Sequence, residues 1–346
     1  MIDTSTRSRV PGGTIMAMRG FDPKFADLPD YIDKVTREIW EERGIGGSLE
    51  KYYALDVIVR AANAIITDNR GVTAATLATL HEFPDRHLVY EDVIWTGNED
   101  DGFLSSHRLI SVMRKQGAGA YGPATGAVVR SRIIADCVVK DNQITEEWLV
   151  RDHASFATCL GETPEALGRR LATDDLERFG AVTVFTPAND KPGPYCAVID
   201  DGVEARRYAD AWREIWGTKT PAAIRDYYHV GIAAHVSGGE TLSGHSDLDR
   251  FVISYLASFP DADLTVDHLI VNRDPGQPTR IALRWSITAT HAGWGRFGRP
   301  TGAPVYILGM THAYMVDGKI TMEWIMTDEV AIWKQIHAHA PGFAIG

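Results

Sequence analysis

The stretch Asp317-Gly318-Lys319-Ile320-Thr321-Met322-Glu323-Trp324-Ile325-Met326-Thr327-Asp328 decides how this sequence folds. Asp-Gly between two β-rich runs is a strong hairpin signal, so residues 305–316 and 320–328 read as antiparallel strands. A two-residue loop pairs Val316 with Lys319 and sets the apolar row of one strand beside the polar row of the other. A three-residue loop, with Gly318 in a left-handed bulge, pairs Met315 with Lys319. It aligns Leu308, Met310, His312 and Tyr314 with Ile320, Met322, Trp324, Met326 and Asp328 on one face. Register follows the buried face, which favours the second arrangement. Upstream, Ile281, Leu283, Trp285 and Ile287 alternate with Ala282, Arg284, Ser286 and Thr288, as in a half-buried strand.

The stretch has a twin, Asp141-Asn142-Gln143-Ile144-Thr145-Glu146-Glu147-Trp148-Leu149-Val150-Arg151-Asp152, 176 positions earlier. The same offset relates Arg37-Glu38-Ile39-Trp40 to Arg213-Glu214-Ile215-Trp216, and Phe83-Pro84-Asp85 to Phe259-Pro260-Asp261. It relates Thr125-Gly126-Ala127 to Thr301-Gly302-Ala303 as well, with a one-residue slip at Tyr52-Tyr53 against Tyr227-Tyr228. Two long copies mean tandem domains rather than a solenoid. The division expected is an arm at 1–28, a first domain at 29–160, a linker at 161–204, a second domain at 205–336 and a tail at 337–346. The arm is rich in Gly, Ser and Thr, which suggests mobility or packing across the other repeat. Helical spacing over 208–216, 221–236 (with Thr220 as N-cap) and 247–259 precedes the strands of the second copy, an α+β order. The linker opens on a helical stretch, 164–178.

Composition narrows the function. With 346 residues, 45% hydrophobic and 23% charged, the chain is globular. Its formal net charge of -11, without a Lys/Arg cluster, argues against nucleic acid and membrane surfaces as partners. Cys137, Cys159 and Cys196 are scattered, which fits a reducing, cytoplasmic setting and no disulfide framework. No apolar run approaches the ~18 residues of a membrane span, and the N-terminus has no secretory h-region. Phosphate-loop, dinucleotide, zinc-protease and nucleophile-elbow motifs are absent, and Gly117-x-Gly119-x-x-Gly122 reads as a loop. His337 and His339 lack acidic or thiolate company, so no metal and no cofactor are expected.

Taken together, Phe259-Pro260-Asp261, Thr288-Ala289-Thr290-His291-Ala292-Gly293, Thr301-Gly302-Ala303-Pro304-Val305, Asp317-Gly318-Lys319-Ile320, Glu323-Trp324 and Asp328 resemble the SnoaL-like branch of the NTF2-like superfamily. The first copy is more degenerate, with Lys115 where His291 stands, Val128 for the turn proline and Asn142-Gln143 for Gly-Lys. The resemblance implies two tandem cone-shaped domains, each a curved antiparallel sheet wrapped around N-terminal helices, with an internal pocket. It implies polyketide cyclase-like acid/base chemistry by the aspartate that follows the tryptophan. It also implies pairing of the two copies through their sheets as an internal pseudo-dimer, with further homo-oligomerisation open.

The expected catalytic residues are therefore Asp328 and Asp152, carboxylates at the rim of an apolar pocket whose charged form burial disfavours. The alternative is a strand-end aspartate accepting backbone hydrogen bonds. His312 and, in the first copy, Asp136 share the expected inward row; His107 and His291 lie on the apolar parity of the preceding strand. Trp148 and Trp324 are candidate pocket walls, and Tyr228 and His229 belong to a helix-borne phenol motif placed to meet a substrate oxygen. The expected activity is cyclisation, isomerisation or hydration/dehydration of a small carbonyl, hydroxy or cyclic metabolite, with degeneracy of the first copy favouring the second as the active one. The other readings are a non-catalytic binding or assembly protein and, lower, an epoxide hydrolase; for the latter, Arg284 is followed by Ser286 where an aspartate is wanted.

Overall fold

The computed structural model describes residues 18–193 and 199–339. The first half runs α1 (Leu28–Thr36), α2 (Ile45–Tyr52), β1 (Tyr53–Ala61), β2 (Ala64–Thr67), α3 (Asp68–Glu82), β3 (His87–Asn98), β4 (Gly102–Arg114), β5 (Val128–Lys140), β6 (Gln143–Arg151) and α4 (His153–Cys159). After the linker helix α5 (Pro164–Phe179), the second half repeats it. Its elements are α6 (Val203–Trp212), α7 (Ile224–Tyr227), β7 (Tyr228–Val236), β8 (Glu240–Ser243), α8 (Gly244–Ser258), β9 (Asp263–Asn272), β10 (Thr279–Thr290), β11 (Pro304–Val316), β12 (Lys319–Thr327) and α9 (Glu329–Ala338). The repeated Arg-Glu-Ile-Trp forms a π turn after the first helix of each half.

The two sheets share one strand order, β2-β1-β6-β5-β4-β3 and β8-β7-β12-β11-β10-β9. Neighbours are antiparallel except β1 with β6 and β7 with β12, which are parallel, so the sheets are mixed rather than wholly antiparallel. That parallel pair replaces part of the expected helix over 221–236. Only a 3-10 turn, Pro221–Ala223, and the four-residue α7 are helical before the chain extends into β7. Val230, Ile232 and Val236 are β-branched, and pairing with β12 outweighs their helical spacing. The two tyrosine pairs thus sit at helix–strand junctions rather than on a helix.

The hairpin also corrects its expected register. Val316 pairs with Lys319 across a two-residue loop in which Asp317 (φ 49°) and Gly318 (φ 72°) are both left-handed. A bulge two residues on then returns the two rows to one face but not to the expected partners: Tyr314 pairs with Met322, His312 with Trp324 and Met310 with Met326, where Ile320, Met322 and Trp324 were expected. Ile320 pairs with Met315 and joins the other row, inside the cone.

Both faces of each sheet are buried. The inner face packs on the helices: Ile281, Leu283, Trp285, Ala313, Met315 and Ile325 join one core with Tyr208, Trp212 and Phe251. The outer face of one sheet packs on that of the other, with Ile134, Trp148 and Val150 against Leu308, Met310 and Met326. This is why β10, expected half-buried, is buried on both sides. Cation–π contacts cross the seam with pseudo-twofold symmetry. The Arg108 guanidinium lies 3.5 Å from the Trp324 ring centre, and Arg284, its counterpart, 3.8 Å from that of Trp148. Arm residues Met18, Phe21 and Phe25 are buried in the first copy's own core, not across the other repeat.

Candidate functional site

The first cone encloses a cavity of about 250 Å³. Strand parity sets its polar groups: Glu147, Leu149 and Arg151 point inward from β6, Ala135 and Cys137 from β5, and His107 and Leu109 from β4. Tyr53, Val59 and Ala61 of β1, Ile32 and Thr36 of α1, and Ala75, Thr76 and Thr79 of α3 complete most of the wall. Arg86 and Tyr121 enter from loops.

Glu147 is 8% exposed and accepts a hydrogen bond from the Tyr53 hydroxyl at 3.0 Å. Burial raises its carboxyl above the ordinary range, against the opposing pull of Tyr53 and Arg151. Burial likewise pushes His107 down to about 4, so its ring is neutral at pH 7. The Arg86 guanidinium falls to about 9 through burial and the like charge of Arg151. The Tyr121 hydroxyl, pushed up to about 12 chiefly by burial, lies 3.4 Å from His153 Nε2. His153 Nδ1 in turn donates to Asp328 Oδ2 at 2.5 Å, so an aspartate of the second copy orients a ring that touches the first copy's cavity wall.

The same interior in the second copy is filled. At the repeat offset, Ile32, Thr36, Ala75, Thr79 and Leu109 correspond to Tyr208, Trp212, Phe251, Tyr255 and Trp285, all buried. Trp212 stacks on Trp216 at 5.5 Å and meets Trp285 at 5.0 Å. Glu323, the counterpart of Glu147, accepts from Tyr208 at 2.6 Å, Tyr228 at 2.9 Å and Trp212 at 3.4 Å. Burial nonetheless pushes its carboxyl up to about 7.

Of the residues expected from sequence, His107 lines the cavity, and the others lie elsewhere. Asp152 and Asp328 are helix N-caps. Asp152 accepts from the Ser155, Gly238 and Gly239 amides at 2.9, 2.8 and 3.1 Å, and Asp328 from the Ala331 amide at 3.0 Å. Burial raises the Asp152 carboxyl while those amides lower it. His312, Trp324, Asp136 and Trp148 were placed on the inward row but occupy the seam between sheets. His312 bonds Ser106 at 2.9 Å and Arg108 at 3.0 Å; Asp136 lies 3.4 Å from His268 and 3.5 Å from Arg284. The row is apolar because a second sheet covers it, not because it faces a pocket. Tyr228 is sealed in the filled core, His229 is exposed on β7, and His291 is buried beside Thr301 at 3.1 Å. Arg284 sits in the seam, over the Trp148 ring. Sequence reading missed Glu147, Arg151, Arg86 and Tyr121; Glu147 and Arg151 were legible from strand parity opposite Trp148. Among the described residues no group of three or more His, Cys, Asp or Glu side chains is placed to hold a metal ion, and no helix is long and apolar enough to cross a membrane.

Two sheet-and-helix units joined back to back through their sheets define a duplicated α+β fold. The sequence profile of the SnoaL-like polyketide cyclases matches residues 206–336, the second domain, and the first domain repeats its strand order. Similar solved structures include a protein of Jannaschia sp. CCS1 described as a SnoaL-like polyketide cyclase (16% identity, 41% of this chain and 99% of that one, TM-score 0.35). IdmH of Streptomyces antibioticus, described as a polyketide cyclase, is 20% identical over 39% of this chain and 99% of its own, with a TM-score of 0.34. AclR of Streptomyces galilaeus, described as a hydroxylase, is 24% identical over 38% and 85%, with a TM-score of 0.33. No curated protein matches the sequence.

Proposed function

We propose that the first copy is an acid/base catalyst acting on a small carbonyl, hydroxy or cyclic metabolite, and that the second copy is its structural half. The observation that carries this is the cavity of about 250 Å³, lined at positions where the second copy carries the buried rings of Tyr208, Trp212, Phe251, Tyr255 and Trp285, with the buried carboxyl of Glu147 in its wall. An apolar site of 150 Å³ holds a benzene-sized molecule, so the volume suits roughly ten to fifteen non-hydrogen atoms, one or two rings rather than four. Glu147, its proton affinity raised by burial, takes a proton alpha to a carbonyl and returns it to the developing alkoxide. The Tyr53 hydroxyl orients the carboxyl, and Tyr121 and neutral His107 are hydrogen-bonding partners for the substrate oxygen. Cyclisation, isomerisation and hydration/dehydration all use such a proton shuttle, and none of its steps calls on a cofactor.

The test is α-proton exchange in D2O, followed by NMR over a panel of small ketones, keto acids and cyclic enones. The wild-type protein is expected to exchange at least one of them, and Glu147→Gln to slow that exchange about 100-fold or more. Equal rates in the two proteins refute the assignment.

A further inference from the structure

Arg86 and Arg151 line the cavity together, and the chemistry of the proposed base leaves them unused. Buried guanidinium groups are ordinarily paired with carboxylates, as Arg60 is with Glu146 at 2.8 Å and Arg296 with Glu329 at 2.5 Å in this same chain. Among the described residues, neither Arg86 nor Arg151 has a carboxylate within ion-pair distance. Arg86 Nε donates to the Ser111 hydroxyl at 3.2 Å, and the Arg151 guanidinium has no hydrogen-bond acceptor among those residues. Both side chains are half-buried, and they belong to the cavity wall.

The charge count of the cavity is lopsided. His107 is neutral, so two arginines face one glutamate, and the wall is net positive whether or not Glu147 is ionised. This sits inside a chain whose net charge is -11. The second copy supplies the comparison: at the repeat offset Arg86 becomes Ala262 and Arg151 becomes Thr327, whose hydroxyl bonds Tyr255 at 2.8 Å. Where the interior is filled, both positive charges are gone.

Position matters as much as charge. Arg151 pairs with Ile133, which pairs with Leu109, next to the Ser111 that holds Arg86; Glu147 pairs with Cys137, two pairs further along the same inner face. Four residue steps along β6 separate Glu147 from Arg151, roughly 13 Å between their Cα atoms. The cavity therefore has a cationic end and a carboxyl end.

We infer that the substrate is a small carboxylate, its head group held by Arg86 and Arg151 and its reactive carbon presented to Glu147. This deepens the proposed function and rests on that cavity being the substrate site. A planar carboxylate suits the guanidinium fork, and apolar walls between the two ends suit a short ring or chain.

The experiment measures binding rather than turnover, so it stands apart from the role of Glu147. Titration calorimetry compares cyclohexanecarboxylate, benzoate, their neutral amides and inorganic phosphate against wild type, Arg86→Gln, Arg151→Gln, Arg151→Lys and Glu147→Gln. At least one carboxylate is expected to bind one-to-one, at least tenfold tighter than its amide and tighter than phosphate. Each Arg→Gln change is expected to cost that carboxylate tenfold or more while leaving the amide unaltered. Arg151→Lys keeps the charge and restores part of the preference, which separates head-group recognition from a folding defect. Glu147→Gln, which removes a negative charge, is expected to bind the carboxylate as well as or better than wild type, even though exchange is lost. The inference is overturned if neither carboxylate saturates the protein up to about 10 mM, if amide or phosphate binds as tightly, or if the arginine variants keep the carboxylate preference.

Discussion

Ala75→Phe converts one position of the open cone into that of the closed one, because Ala75 and Phe251 are equivalent on α3 and α8. At roughly 24 cal/mol per Å³, a wholly empty cavity of 250 Å³ costs at most about 6 kcal/mol. One buried phenyl ring recovers about 1.5–3 kcal/mol of that. The first domain's unfolding transition is then expected to rise by roughly 3–12 °C, taking ~2–4 °C per kcal/mol. Scanning calorimetry reads it, with the two halves fitted as separate transitions if they part. The same ring occupies substrate space, so carboxylate binding is expected to vanish as stability rises. A variant with an unchanged or lower transition temperature that still binds the carboxylate normally would refute both the equivalence of Ala75 with Phe251 and the filling argument.

Further predictions concern the seam and the closed half. The folded-state carboxyl of Glu323 sits near 7 against 4.5 unfolded, so its stabilisation is complete below pH 4.5 and is lost as pH rises through 7. Relative to Glu323→Gln, wild type is therefore expected to lose about 3 kcal/mol between pH 4.5 and 8 in urea melts. Arg284→Ala strips Asp136 of a buried cationic partner and Trp148 of its stacked guanidinium, and is expected to cost about 3–5 kcal/mol by denaturant titration. Asp328→Asn keeps an oxygen to cap α9 but holds His153 less firmly; proton exchange is expected to fall while stability changes by no more than about 2 kcal/mol.

How far the fold could be read from sequence depended on which signals have a single cause. The offset of 176 residues and the period of two have one cause each, and the architecture follows from them. The inward face had two candidate causes. His312, Trp324 and Met326 form a row as apolar as Ile281, Leu283 and Trp285, because one row is covered by a sheet and the other by helices. Parity alone cannot tell a seam from a core. Asp152 and Asp328 cap helices that follow them directly, at His153 and Glu329; the strand-end reading of an aspartate accepting backbone hydrogen bonds had the right donors, backbone amides, without the helix that supplies them. The first copy's degeneracy at Lys115, Val128 and Asn142-Gln143 favours the second copy as the active one, but the positions that matter for the interior are others. Thr36, Ala75 and Leu109 are instead the small residues that open the cavity, visible once set against Trp212, Phe251 and Trp285. Arg86 and Tyr121 stand outside the strands, where periodicity says nothing.

The seam has a consequence for association between separate chains. Asp136 meets His268 and Arg284 across it; the residue equivalent to His268 in the first copy is Asp92, already engaged by Arg280 and by Tyr314 at 3.1 Å. Two first copies meeting through the same faces would keep an arginine, Arg108, beside Asp136 but would set the carboxylate of Asp92 where His268 now stands. Two second copies would set His312 against Ala282 and Arg284, without the hydroxyl that Ser106 now provides. Each half is thus matched to its unlike twin and mismatched to its own kind. Covalent fusion keeps the right neighbour within reach, and this lets one gene duplicate diverge into a lock while the other stays its fitted plate.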